Sequence, residues 1–141
     1  MFKHFGSIGL LLLATTPALS EDDASLLVDM HTRALSCSAL AFLAGDYQKQ
    51  TDIFRFATQN LNLLMKLKND GDPSASSWFA FKAYEIESRD YILGYDYADA
   101  TIAAAKTIRE ERRGDTVEAN KKVAMSMYER DQCPRVEKLI R

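Results

Sequence analysis

One histidine and two cysteines after residue 20 are the side chains best suited to covalent catalysis. A cysteine or serine nucleophile needs a general base within hydrogen-bonding distance. His31 precedes Cys37 by six residues, so the two side chains do not share one face of a helix. A lone histidine forms no catalytic dyad, and we predict that His31 is a surface or boundary residue. The sequence therefore predicts that this protein is not an enzyme.

Acidic residues between 85 and 99 could hold a metal ion or act as acid and base. Asp90, Asp96 and Asp99 lack the alternate oxygen ligands over twelve residues, with a glycine turn, that a calcium loop needs. Residues 69–72 (Asn-Asp-Gly-Asp) are closer in composition, but they lack the closing glutamate and are typical of a turn. Two carboxylates for glycoside hydrolysis would need a cleft that so small a chain is not expected to build. We predict no metal site and no cofactor.

Aromatic residues are unusually dense between 78 and 97, where seven of the fourteen in the chain lie. Packing in the core explains most of them. The alternative is that some tyrosines line a groove or a partner surface, because a tyrosine is apolar at one end and forms hydrogen bonds at the other. The candidate binding surface consists of four tyrosines and three aspartates: Tyr84, Tyr91, Tyr95, Tyr97, Asp90, Asp96 and Asp99.

Residues 1–20 have the three-part layout of a secretory signal. A short segment with Lys3 precedes an apolar core over residues 8–14, and small residues stand at positions −3 and −1 relative to Glu21. The core is far shorter than the ~20 residues that span a bilayer, and we expect no later apolar segment to approach that length. The short signal and the absence of an Asn-x-Ser/Thr sequon fit a bacterial periplasmic or secreted protein.

Two cysteines in an exported chain normally form one disulfide. We therefore predict a Cys37–Cys133 bond. Cys37 lies at helical spacing with Met30, Ala34 and Ala41, so its sulfur is expected to face the core.

The charge of the chain excludes one class of partner and leaves two interpretations open. A formal net charge of −2 argues against binding to nucleic acid. Residues 21–105 contain 13 acidic and 7 basic side chains, whereas residues 106–141 contain 7 acidic and 10 basic ones. The two parts either attract each other in the fold, or an acidic face meets a basic partner.

The elements that position these residues all have helical periodicity. We predict helices over 24–44, 50–68, 75–112 and from 115 to about 133, with a possible short turn after it and a break near Ser88 or Gly94. The longest helix has two apolar faces, which predicts packing from both sides. One face is Phe81, Tyr84, Tyr91, Tyr95, Ala98 and Ile102, and the other is Phe79, Ile86, Leu93, Tyr97 and Ala104.

The predicted fold is an all-α, single-domain bundle of four to five helices over residues 21–141, with one disulfide, behind a signal peptide at 1–20. We predict a small periplasmic or secreted protein that acts by binding a protein partner of unknown identity, as an inhibitor, an immunity protein or a chaperone-like protein. The alternative is a carrier of a small molecule or lipid in a cavity between helices. An exposed groove with tyrosines and acids at its rim would favour the first hypothesis, and a large closed apolar cavity the second.

Overall fold

The computed structural model describes residues 21–82 and 88–140, and this part of the chain is all-α, as predicted. It contains six helices and no strand: α1 (Glu21–Ala44), α2 (Tyr47–Asn69), α3 (Pro73–Phe81), α4 (Arg89–Glu111), α5 (Val117–Arg130) and α6 (Cys133–Ile140). The predicted signal peptide lies outside the described residues. The helix count exceeds the predicted four to five for two reasons. The long third helix is divided into α3 and α4, and the last residues form α6 instead of a turn.

Side-chain caps explain why the helices begin where they do. Asp46, Asp72, Ser88 and Thr116 each accept a hydrogen bond from the backbone N–H three residues further on. Such caps satisfy N–H groups that have no partner within the helix. The Ser88 cap has an extended backbone, with φ −76° and ψ 128°. A new helix therefore begins at Arg89, close to one of the two predicted break points.

Helix α1 is the centre of the bundle, because it packs against each of the other five helices. Its segment Asp23–Ala44 is long and apolar enough to cross a membrane by length and composition. This finding corrects the expectation that no segment after residue 20 approaches that length. The apolar character has another explanation in the fold, since a helix surrounded by others is apolar on most sides. The most deeply buried α1 side chains include Ala34, Leu35, Cys37, Ala39, Leu40 and Ala41.

A disulfide joins the middle of α1 to the first residue of α6, and this confirms the Cys37–Cys133 prediction. Both cysteines are buried in the core, as the apolar spacing around Cys37 indicated. A buried disulfide of this kind indicates an oxidising compartment, since cytosolic thiols are kept reduced.

The prediction that the long helix over residues 75–112, which the structure divides into α3 and α4, is packed on both faces is wrong. Phe81, Tyr91, Tyr95 and Ile102 are 85%, 48%, 52% and 68% exposed, and Tyr84 lies outside the described residues. The opposite face is the buried one, where the structure describes it: Phe79, Leu93 and Ala104 are buried and Tyr97 is half-buried, while Ile86 lies outside the described residues. The physical reason is that, among the described helices, α4 packs only against α1, α2 and α5. No described helix therefore covers one of its two apolar faces.

A polar cluster fastens α6 to α5 and α2 beside the disulfide. The Tyr128 hydroxyl donates a hydrogen bond to Glu137 Oε1 at 2.6 Å, and Lys49 Nζ lies 3.7 Å from the same oxygen. Lys49 Nζ also lies 5.4 Å from the centre of the Tyr128 ring. Burial raises the pKa of Tyr128 well above its ordinary value, and the hydrogen bond to Glu137 and nearby carboxylates raise it further.

Replacing Tyr128 with phenylalanine is expected to change the alkaline stability of the fold. In the unfolded chain the tyrosine ionises near its usual pKa of ~10, but in the folded chain it stays protonated. The wild-type protein therefore loses stability as the pH rises above that value. Thermal melts between neutral pH and pH ~11 should show a shallower alkaline decline for Tyr128→Phe, together with a loss of about 1 kcal/mol at neutral pH.

The matched control is Tyr47→Phe, because Tyr47 is exposed. This variant should follow the wild-type curve throughout. If wild type and Tyr128→Phe lost stability equally steeply at alkaline pH, the raised pKa of Tyr128 would be contradicted.

Candidate interaction site

His31 is fully buried, so the prediction that it is a surface or boundary residue is wrong. Its Nδ1 lies 3.0 Å from the Ala57 carbonyl oxygen of α2, and its Nε2 lies 3.2 Å from Asp96 Oδ2 of α4. A carbonyl oxygen only accepts hydrogen bonds, so Nδ1 carries a proton and donates it. Both ring nitrogens therefore face a polar partner, as buried polar groups normally do. His31 therefore connects α1, α2 and α4.

Lys82, whose side chain is 32% exposed, completes a charged cluster around buried Asp96. Its Nζ lies 3.2 Å from Asp96 Oδ1 and 5.8 Å from the centre of the Trp78 ring. Trp78 in turn meets the His31 ring edge-on, with 5.9 Å between ring centres. We call His31, Asp96 and Lys82 the buried cluster. None of the hydrogen bonds of His31 to the described residues involves a hydroxyl or thiol, so the cluster has the arrangement of a structural support for α4 and not of a catalytic triad.

The periodicity of α1 contains the signal that would have placed His31 in the core. Position 31 is separated by three residues from Ala34 and by four from Leu35, and both are buried. Residues three and four apart share a helix face. Asp96 lies three residues after buried Leu93 in the same way. His31 and Asp96 are polar and are therefore predicted at the surface, although their spacing from buried residues places both on buried helix faces.

A groove of about 440 Å³ lies above the buried cluster, between α1 and α4. Asp96 and Lys82 line it together with Asp99. The remaining lining residues are small, apolar or hydroxyl-bearing: Thr32, Leu35 and Ser36 from α1, and Ala100, Ile102 and Ala103 from α4.

Beside this groove, α4 presents a continuous apolar strip to solvent. Tyr91, Tyr95, Ala98 and Ile102 follow one another at steps of four, three and four residues, and all four are exposed. We call these four residues the α4 outer face. Tyr91 and Tyr95 stack on each other, with ring centres 6.5 Å apart and planes at 26°.

Gly94 lies within α4, next to this face, and nothing in the described chain explains the glycine. It is three residues after Tyr91 and four before Ala98, so it lies between them on the helix surface. A Cβ added to Gly94 would meet no atom within 4 Å. A glycine inside a helix costs about 0.5–1 kcal/mol relative to alanine. No close contact with a described residue therefore requires a glycine at this position.

The structure separates the residues of the predicted binding surface. Tyr91 and Tyr95 belong to the α4 outer face, and Asp99 lies beside it on the rim of the groove. Asp90 is exposed and forms an ion pair with Arg89, with 2.7 Å between Arg89 Nη2 and Asp90 Oδ1. Asp96 is a buried residue and not a surface one. Tyr97 is half-buried against Phe54, with ring centres 5.1 Å apart, and Tyr84 lies outside the described residues.

The other grooves on the described surface are also open to solvent. One of about 470 Å³ lies between the α1–α2 turn and α5, lined in part by Tyr47 and Met125. Another, of about 630 Å³, lies between α1 and α3 and is lined largely by serines and small residues. Residues 23–82 and 88–140 contain no group of three or more histidine, cysteine, aspartate or glutamate side chains that could hold a metal ion.

Comparison with known proteins adds no assignment to this geometry, because no family model, curated protein or solved structure matches the chain.

Proposed function

We propose that this protein acts by binding another protein through the α4 outer face. The observation that carries the proposal is the exposed apolar strip of Tyr91, Tyr95, Ala98 and Ile102, which extends over three turns of a well-anchored helix. Contiguous exposed apolar surface with a polar rim is typical of interaction sites on soluble proteins. Tyrosines are enriched in such sites. The partner's identity defines whether the protein is an inhibitor, an immunity protein or a chaperone-like protein.

The buried cluster supports this proposal because it fixes the position of α4. Asp96 is held from α1 by His31 and from the end of α3 by Lys82. Binding surfaces on rigid elements lose less conformational entropy when they bind. Because the contacts of Asp96 with His31 and Lys82 hold α4 in place, the α4 outer face is suited to binding a partner.

The binding test compares two triple variants of the exported protein, immobilised and exposed to periplasmic extract. The first is Tyr91→Ser, Tyr95→Ser, Ile102→Ser. The matched control, Leu26→Ser, Leu63→Ser, Val117→Ser, changes exposed apolar side chains of similar accessibility elsewhere on the fold. The first variant is expected to lose a retained protein that wild type and control both hold. Equal retention by all three would refute the proposed surface.

We also propose that the chain acts in the bacterial periplasm or outside the cell, after removal of residues 1–20. The disulfide indicates an oxidising compartment, and the N-terminal layout is that of a secretory signal. Mass spectrometry of exported protein is expected to show a chain that begins at Glu21. An intact N-terminus on exported material would contradict the cleavage site.

A further inference from the structure

We propose that the partner contacts the α4 outer face with an amphipathic α-helix, which crosses α4 at Gly94 and places a lysine or arginine opposite Asp99. This inference rests on the proposed function and names the chemistry of the partner.

The first argument is the position of Gly94. A helix can approach a second helix closely where the contact residues are small, because the distance between the axes depends on the side chains at the crossing point. Gly94 and exposed Ala98 lie one turn apart at the edge of the α4 outer face, and neither has a side chain larger than a methyl group. A partner backbone at this point would supply a contact that Gly94 does not make with the described residues. Glycine is favoured where another backbone approaches.

The second argument is charge. Asp99 is four residues after Tyr95 and three before Ile102, so it borders the α4 outer face directly. It is exposed, and it forms no ion pair or hydrogen bond with any described residue. Neighbouring Asp96 already faces His31 and Lys82. A basic side chain of the partner would therefore find a carboxylate at the rim that is not already paired.

The distribution of ion pairs supports a basic partner more broadly. If the acidic part (residues 21–105) and the basic part (106–141) neutralised each other, acidic groups of the first would pair with basic groups of the second. Between described residues, the ion pair that joins the two parts is Lys49–Glu137. Here the acidic part supplies the basic group and the basic part supplies the carboxylate. This distribution gives no support to the first interpretation of the charge pattern, and it leaves Asp99 as an exposed carboxylate that a basic partner could meet.

The shape of the site favours a helix over an extended segment. The described surface has no strand edge to which a partner strand could add. Instead, the side chains of the α4 outer face form a ridge beside the groove of about 440 Å³. Ile102 is part of this face and also lines the groove. An amphipathic helix fits such a ridge and groove with apolar side chains at three- and four-residue spacing. A second copy of this chain is disfavoured, because two-fold pairing around Ala98 would bring the two Asp99 carboxylates together.

The test uses a phage library of random peptides about 16 residues long, or roughly four helical turns. The oxidised exported protein is the bait, and Gly94→Leu is the counter-selection bait. The leucine adds bulk at the crossing point, and its Cβ would meet no atom within 4 Å. Ser126→Leu, on the exposed surface of α5, is the matched control for added bulk.

Peptides enriched on wild type and not on Gly94→Leu are expected to have apolar residues at helical spacing and one lysine or arginine. A synthetic peptide from this set should bind about tenfold more weakly to Gly94→Leu and to Asp99→Lys, and equally well to Ser126→Leu. Changing its basic residue to glutamate should restore binding to Asp99→Lys, since the charges are then exchanged. Gly94→Leu should melt at a temperature no lower than wild type, because leucine favours a helix more than glycine does, and this would show that loss of binding does not require loss of folding.

Three results would overturn the inference: selected peptides without the basic residue or helical spacing, equal enrichment on Gly94→Leu, or failure of the charge exchange. Sedimentation that shows a dimer abolished by Gly94→Leu would also overturn it, in favour of a second copy of the chain. Peptides that bind the α4 outer face without a helical or basic pattern would leave the proposed function standing. If the Tyr91, Tyr95 and Ile102 triple variant still retained the periplasmic protein, both the proposed function and this inference would be refuted.

Discussion

Loss of the Cys37–Cys133 disulfide is expected to lower the free energy of unfolding by about 4–5 kcal/mol. The two cysteines are 96 residues apart in sequence, and a cross-link that closes so long a loop removes many conformations from the unfolded chain. A domain of this size typically has only ~5–15 kcal/mol of stability in total. The bond also fastens α6, a helix of eight residues, to the centre of the core.

The measurement is denaturant unfolding of three forms: oxidised wild type, wild type reduced with dithiothreitol, and the double variant Cys37→Ser, Cys133→Ser. The reduced wild type is the matched control because its side chains differ only by two hydrogen atoms. Both altered forms should unfold at lower denaturant concentration than the oxidised protein. The native protein should also show no titratable thiol. Two free thiols in exported protein, or coincident unfolding curves, would contradict the prediction.

The disulfide could be predicted from the sequence because it depends on few facts. Export implies an oxidising compartment, two cysteines leave one pairing, and the apolar spacing around Cys37 places it in the core. The all-α fold was predictable for a similar reason, because helical periodicity and turn residues such as Gly45 and Gly71 are local signals.

The orientation of α4 could not be predicted in the same way, because it depends on contacts between distant segments. Two apolar faces at helical spacing do not show which one packs against the core. The separation of α3 from α4 lets one face, with Leu93, pack inward and leaves Tyr95 outside. The pairing of His31 with Asp96 spans 65 residues, so no local pattern connects them. The candidate site combines predicted residues, Tyr91, Tyr95 and Asp99, with a support that only the fold reveals.

Asp96→Ala is expected to lower the free energy of unfolding by about 3 kcal/mol. The Asp96 side chain is only 7% exposed, and its removal leaves His31 Nε2 and Lys82 Nζ without the carboxylate they share. Leaving a buried polar group unsatisfied costs more than the net contribution of the bond itself. Asp96→Asn keeps the shape and one acceptor oxygen, and should lose about 1–2 kcal/mol.

The control is Asp99→Ala, which removes an exposed carboxylate one turn further along the same helix and should change stability by no more than about 0.5 kcal/mol. Chemical denaturation of the three variants measures these differences, and hydrogen exchange shows where they act. Because Asp96 connects α4 to α1 and to the end of α3, amide protection should fall first in α4 in the Asp96→Ala variant. Equal stability of Asp96→Ala and Asp99→Ala, or unchanged exchange in α4, would show that the buried cluster does not hold this helix in place.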